Sequence, residues 1–240
     1  MSDVGFYREN GYQVVRGLLD PAVVRDIGAF LRTEMKGAER SALDPREASM
    51  LATGHFPLQT RLSPRLWEIP RQPSLQTMLR DVLDSDGLFM HMPPTARLIK
   101  PGNERAAVPA HQDVSYNRHM SDFVTVWVPC VDIDEAMGGV AVFEGSQNLP
   151  EQLDTLEGGD WLKPVSSEGY RRVECRPMRV GDVLLLNRWI VHESIPNRSD
   201  STRISIDMRF FGGNAISTKH HLDMRSWTVR APVQASGGNT

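Results

Sequence analysis

The sequence predicts a mainly β protein with helices in its first third, a sandwich or barrel of short strands. Three observations predict it. Apolar residues recur at helical spacing in stretches before about residue 85. From about residue 87, short apolar runs alternate with turn signals rich in Gly, Pro and Asn. The 240 residues show no internal repeat and suffice for one domain, 1–240, with its own core. Its expected parts are a helical segment of about 1–85, a β core of about 86–212 and a C-terminal tail.

Residues 6–10 read as a short helix stopped at Gly11, and 12–16 as a strand. Asp20-Pro21 opens a helix, because an Asp side chain can accept from the first free amides and Pro suits the first turn. Val23, Val24, Ile27, Phe30 and Leu31 then form one apolar stripe. Residues 36–62 have little pattern. Some helix is expected in 41–50, broken at Thr53-Gly54-His55, and the segment as a whole reads as a binding loop or flap. Residues 73–83 read as a helix with Leu75, Met78, Leu79 and Val82 on one face.

Strands are expected at 88–91 and 96–100, followed by a Pro101-Gly102-Asn103 turn. Residues 124–131 are strongly apolar, with Pro129 hinting at an edge or a bulge. Gly138-Gly139 precedes a strand at 140–143, and Gly145-Ser146 turns again. Residues 147–168 read as a long loop, 171–176, 183–186 and 203–211 as strands, and the tail after Pro232 as disordered.

Composition excludes several classes. Net charge is -3 with no block of like charges, which disfavours nucleic acid. The two cysteines, Cys130 and Cys175, form no CxxC and read as buried small hydrophobes. The charged opening residues are not those of a signal peptide, and no run of 18 apolar residues suggests a membrane span. The expected compartment is the cytoplasm.

The chemistry concentrates in two segments. In a strand, residues i and i+2 share a face, so His111 and Asp113 of His111-Gln112-Asp113 would project together with Gln112 turned away. The tripeptide alone is common by chance. His192, after the apolar run 183–186, is the candidate third ligand of a facial triad, which leaves three positions open on Fe(II). Arg203 lies eleven residues beyond His192 and can bind a planar carboxylate in two-pronged fashion. Alternation places Ser205 on its side.

These residues resemble the phytanoyl-CoA dioxygenase family of Fe(II)/2-oxoglutarate oxygenases. The likeness runs through FYRENGYQVVRGLLDPAVV at 6–24, His111-Gln112-Asp113, Trp127 in VTVWVPCVDID, GGVAVFEGSQ at 138–147, GDVLLLNRWIVHESIPNRS at 181–199 and Arg203 in RISIDMRFF. It implies a double-stranded β-helix core, a jelly roll of cupin type. It implies Fe(II) on His111, Asp113 and His192, and 2-oxoglutarate with its far carboxylate on Arg203. Ser194 would be a hydroxyl partner and Trp127 a wall, and O2 the second cosubstrate. The implied outcome is hydroxylation of a small molecule with release of succinate and CO2. Related halogenases replace the carboxylate ligand with a small residue, and Asp113 is present. Desaturation, cyclisation or epimerisation by the same chemistry are the alternatives. Where the family has Asn-Gly and Pro-Gly-Ser-His, this chain has Gly138-Gly139 and Glu144-Gly145-Ser146-Gln147, which puts the pocket's shape in question.

Further candidates are expected at the cavity mouth. Tyr116 and Arg118, in the loop after the metal segment, are candidate substrate contacts. Arg97 could meet an acidic group, though a surface charge is the simpler reading. The 203–211 strand has one polar face, Arg203, Ser205, Asp207 and Arg209, which would carry Arg209 inward with Arg203 as a candidate substrate contact. His55, His91, His119, His220 and His221 lack ligand spacing and read as structural or exposed. A cupin-like binding module without turnover is the competing class, and a plain metal site needs no carboxylate clamp such as Arg203.

Overall fold

The computed structural model describes residues 4–40, 44–150 and 164–232. Helix α1 (Val4–Asn10) leads through Gly11 into strand β1 (Tyr12–Val15). Helix α2 (Pro21–Arg40) is capped as expected, with the Ala22 amide donating to Asp20 Oδ1 at 2.8 Å. Val24, Ile27 and Leu31 of its stripe are fully buried, each worth about 1.5–3 kcal/mol.

The loop expected over 36–62 is largely helical. Helix α2 continues to Arg40, α3 spans Pro45–Ala52 and α4 spans Leu58–Arg61. Asp44 caps α3 by accepting from the Arg46 and Glu47 amides. The break at Thr53-Gly54 is real, and Gly54 has φ +84° with the Leu98 carbonyl pressed against it. Helix α5 (Pro73–Leu83) falls where its stripe predicts.

Strands β2 (Leu88–His91), β3 (Thr95–Ile99), β4 (Val124–Pro129), β5 (Gly139–Glu144), β6 (Arg171–Glu174), β7 (Val183–Asn187), β8 (His192–Ile195) and β9 (Arg203–Gly212) follow, with a four-residue helix α6 (Asp113–Tyr116) between β3 and β4. Two strands not foreseen close the chain, β10 (His221–Asp223) and β11 (Thr228–Arg230). The larger sheet runs β1-β7-β4-β9-β2-β10-β11, with β3 also on β9, and the smaller runs β6-β5-β8. The expected tail therefore contributes two strands of the larger sheet. Residues 151–163, most of the expected long loop, and residues after 232 lie outside the described residues.

Strand β4 is central, paired with β7 on one side and β9 on the other. Pro129 sits at its last position, past the end of the β7 register, so its missing N–H breaks no ladder there; it does not mark an edge. The ten-residue β9 pairs with β4 on one flank and with both β3 and β2, end to end, on the other. Its Ile204, Ile206, Met208 and Phe210 pack with α2 and α5 into the main core. Its polar face, Arg203, Ser205, Asp207 and Arg209, looks instead into the space between the sheets. Trp127, Leu184 and Leu186 of the larger sheet join Val140 and Val142 of the smaller in a second apolar cluster beside that space. Cys130 and Cys175 are buried free thiols, and no helix among the described residues is long and apolar enough to cross a membrane.

Candidate active site

The site is assembled from a reciprocal backbone pair. The His111 amide donates to the His192 carbonyl at 2.9 Å, and the His192 amide returns a bond to the His111 carbonyl at 3.0 Å. The two residues are thus directly opposite, with ring centroids 4.2 Å apart. Each imidazole is oriented by its own backbone. His111 Nδ1 lies 2.8 Å from the Pro109 carbonyl and His192 Nδ1 lies 3.0 Å from the Ile190 carbonyl. A carbonyl only accepts, so each Nδ1 carries a hydrogen, and in the neutral ring that leaves Nε2 as the lone-pair donor. Ser146, fully buried, accepts from the Val191 amide at 2.8 Å and fixes the approach to His192.

Asp113 arrives differently from the sequence expectation. It is not two residues along a strand from His111 but the first residue of α6. The turn is held by the Val114 amide on the Arg188 carbonyl (3.0 Å) and by Gln112 Nε2 on the Trp189 carbonyl (3.0 Å). Gln112 faces away from the site, as expected. The Asp113 carboxylate then lies with Oδ1 3.8 Å from His111 Nε2. Donor atoms of His111, Asp113 and His192 all lie within 4.8 Å of one another, and all three residues are buried. Among the described residues this is the one cluster of three such ligands. Asp113 Oδ1 accepts from Arg209 Nη2 at 3.0 Å, and Oδ2 accepts from the Thr125 hydroxyl.

The electrostatics suit a cation. Burial, and then His192, push the His111 imidazole down to about 3, so it is neutral at physiological pH. For Asp113 burial acts upward, but Arg209 foremost, then the two histidines and Thr125, hold its carboxyl well below the usual range. The result is two imidazoles and one carboxylate converging, the donor set of a facial-triad metal centre.

Arg203 lies in the same cavity, 3 % exposed. Its Nη1 donates to the Ile195 and Gly139 carbonyls at 2.9 and 3.1 Å, while its buried Nε has no partner among the described residues. Burial, followed by Arg97, lowers it to about 10 without discharging it. A buried cation with an unspent donor can receive a carboxylate. Gly138 makes the close approach to β8 possible: its φ is +82°, and an added Cβ would meet the Ile195 and Pro196 carbonyls at 2.4 and 2.5 Å.

Trp127, Ser194, Ser205 and Tyr116 line the cavity as expected, Tyr116 standing edge-on to His111 at 5.3 Å. Arg97 is buried in the wall rather than on the surface, its Nη2 donating to the Thr53 and Ala106 carbonyls. Arg209 faces inward but holds Asp113. Arg118 is exposed and outside the lining, because the loop after α6 turns it to solvent. Glu144 and Gln147 do not line the cavity either; they brace the N-terminus, accepting from Tyr12 Oη and donating to the Glu9 carbonyl. Asp207 lines the cavity, as the polar face of its strand predicts. His55, in the Thr53-Gly54-His55 break and bridged to Arg97, also lines it, and no local signal marks it. Thr125 is buried and reaches the site through Asp113; strand alternation makes it legible but nothing local names its partner.

The fold and site together define a jelly-roll oxygenase of the non-haem iron type. The family model for phytanoyl-CoA dioxygenase (PhyH) matches residues 7–205, and the chain belongs to this family of Fe(II)/2-oxoglutarate-dependent oxygenases. The 1-deoxypentalenic acid 11-beta-hydroxylase of Streptomyces exfoliatus is 26% identical over 239 residues, covering 85% of this chain and 78% of its own. The peroxisomal phytanoyl-CoA dioxygenase of Bos taurus is 24% identical, covering 91% and 69%. Among solved structures, the epimerase SnoN in complex with Fe3+, alpha ketoglutarate and nogalamycin RO has a TM-score of 0.69 at 19% identity, covering 98% of this chain and 90% of its own. The carbocyclase SnoK from nogalamycin biosynthesis has a TM-score of 0.65 at 19% identity, covering 97% and 87%.

Proposed function

We propose that His111, Asp113 and His192 hold Fe(II), that Arg203 holds the far carboxylate of 2-oxoglutarate, and that the enzyme hydroxylates an unactivated C–H bond of a small secondary-metabolite or lipid-like molecule. The observation that carries this reading is the donor set: two imidazoles locked with Nε2 lone pairs inward, one buried carboxylate, and a buried guanidinium in the same cavity. The donors suit iron, and three protein ligands leave room for a chelating cosubstrate and O2. Iron bound there with 2-oxoglutarate and O2 supplies the oxidant, with succinate and CO2 released.

The chain's own residues position and shield. Arg203 is pre-oriented by the Ile195 and Gly139 carbonyls, so binding a carboxylate costs it little side-chain freedom. Ser194 and Ser205 offer hydroxyls along the cosubstrate, and Trp127 closes the wall. Tyr116, 36 % exposed beside His111, is the substrate contact at the mouth. Arg97, tied to two backbone carbonyls, shapes the far wall. The whole chain acts as one domain in a reducing cytoplasm, with no nucleic-acid partner; net charge -3 and two free thiols support this.

Hydroxylation is favoured by the relative named as an 11-beta-hydroxylase. The test is a substrate panel scored for stimulated succinate release with Fe(II) and 2-oxoglutarate, with product mass measured. Product mass raised by one oxygen is expected. Loss of hydrogens or unchanged mass would assign desaturation, ring formation or epimerisation instead. No succinate under any condition, together with no iron bound anaerobically, overturns the enzyme reading for this site.

A further inference from the structure

Thr125 and Arg209 are opposite each other in the β4–β9 register, one rung of the larger sheet. Alternation turns both side chains to the same face, toward Asp113. They meet the same carboxylate from one side: the Thr125 hydroxyl donates to Asp113 Oδ2, and Arg209 Nη2 donates to Oδ1 at 3.0 Å. Asp113 itself comes from elsewhere in the chain, on a four-residue helix with little rigidity of its own. The rung is part of a central strand pair, β4 lying between β7 and β9. Arg209 is braced in turn by Thr95 Oγ1 at 3.4 Å and lies in the field of Asp207.

We propose that Thr125 and Arg209 are positioning residues that fix Asp113 as a one-oxygen metal ligand. Oδ1, 3.8 Å from His111 Nε2, is the oxygen on the side of that imidazole. Oδ2 is committed to Thr125 and turned toward β4. A carboxylate binding through both oxygens would take a fourth position on an octahedral ion. The chelating cosubstrate and O2 require three, so a two-oxygen Asp113 would close the position needed for O2. Arg209 adds a counter-charge that keeps the buried carboxylate from being orphaned before metal arrives. Losing a hydrogen bond to a ligating carboxylate of this kind typically costs about 10–100-fold in metal affinity. The inference rests on the metal reading above and extends it to residues that touch neither metal nor substrate.

The test uses the full chain stripped of metal and titrated anaerobically with Co(II), whose visible absorption reports both affinity and coordination. T125V and R209M are expected to weaken Co(II) binding by about 10–100-fold and to alter the absorption band. T125S and R209K, which keep a hydroxyl and a cation, are expected to recover much of the respective loss. A folded T125V or R209M protein that binds Co(II) as tightly as wild type, or more tightly, overturns the assignment for that residue. A T125S protein as weak as T125V shows packing rather than the hydroxyl at work and overturns the role given to Thr125. Should R209M fail to fold, T125V decides. Wild-type protein that binds no Co(II) defeats the metal reading itself, an outcome distinct from the others.

Discussion

The molecule contains two histidine pairs of nearly the same geometry. His111 and His192 have ring centroids 4.2 Å apart and planes at 50°; His91 and His119 have 4.4 Å and 50°. The surroundings differ. In the first pair each Nδ1 is spent on a backbone carbonyl, and a carboxylate faces the Nε2 atoms. In the second, His119 Nε2 faces His91 Nδ1 at 3.2 Å, so one ring gives a hydrogen and the other spends its lone pair accepting it. The charged groups that bear on that second pair are Arg209 and Lys219, both cations. Closeness of two imidazoles therefore does not make a metal centre. The tether that frees Nε2, and the nearby anion, do.

The sharpest way to break this comparison is to remove a ligand. Asp113→Ala or His192→Ala should abolish both anaerobic metal binding and succinate release, whereas His119→Ala should leave metal binding intact. Undiminished turnover in Asp113→Ala would remove it from the ligand set. Next in size is Arg203, which has no counterpart beside the second pair. Arg203→Met should weaken 2-oxoglutarate by about 2–5 kcal/mol, read as a raised KM for that cosubstrate. Gly138→Ala tests the scaffold under Arg203. Left-handed strain alone costs about 1–3 kcal/mol, and the Ile195 and Pro196 carbonyls must also shift, so a lower Tm with poorer 2-oxoglutarate affinity is expected.

Acid should act on both pairs in the absence of metal. Burial lowers His55, His91 and His111 to about 3 and His119 to about 4. Unfolded imidazoles take protons below about 6.5 that these folded ones refuse, so their stabilising effect is full above that pH and is lost as pH falls toward 3. Tm of the metal-free protein should drop steadily between pH 6.5 and 4, with Asp207, raised by burial, opposing weakly. His91→Gln should flatten that drop; an unchanged slope would show that His91 is not a contributor. The smallest effect is at the rim. Tyr116→Ala should raise the KM for substrate while leaving metal and 2-oxoglutarate affinity within about tenfold, since its contact with His111 is an edge-on ring contact worth about 0.5–1.5 kcal/mol.

The candidate residues were legible because residue type and offset are local: His111, Asp113, His192 and Arg203 all lie in the cavity. The reason given for Asp113 was not the right one. A strand period predicts that it shares a face with His111, but a four-residue helix has no periodicity to read. Its position depends on the Arg188 and Trp189 carbonyls, 74 and 77 residues distant from their partners Val114 and Gln112. The same nonlocality hid β10 and β11, three residues each, and gave His55 its place beside Arg97. By contrast, α3 was readable. Some helix is expected in 41–50, and Asp44-Pro45, which repeats the cap of Asp20-Pro21, sets its start. Arg209 was placed inward correctly by alternation, but its partner was the carboxylate ligand, which no one-strand argument can supply.

Strand β9 carries both Arg203 and Arg209, six residues apart, a span of about 20 Å at the usual rise per residue. It works as a ruler between two chemical stations. Losing or gaining a single residue inside it would turn every side chain beyond the change to the opposite face, sending Arg209 into the apolar core and Phe210 or Met208 into the cavity. Losing or gaining two would keep the faces and move one station by a full rung, away from Asp113. Length changes are thus barred here in either parity, while the connections that frame Tyr116 at the mouth are under no such constraint. A lineage descending from this chain can exchange what it oxidises without renegotiating how it oxidises.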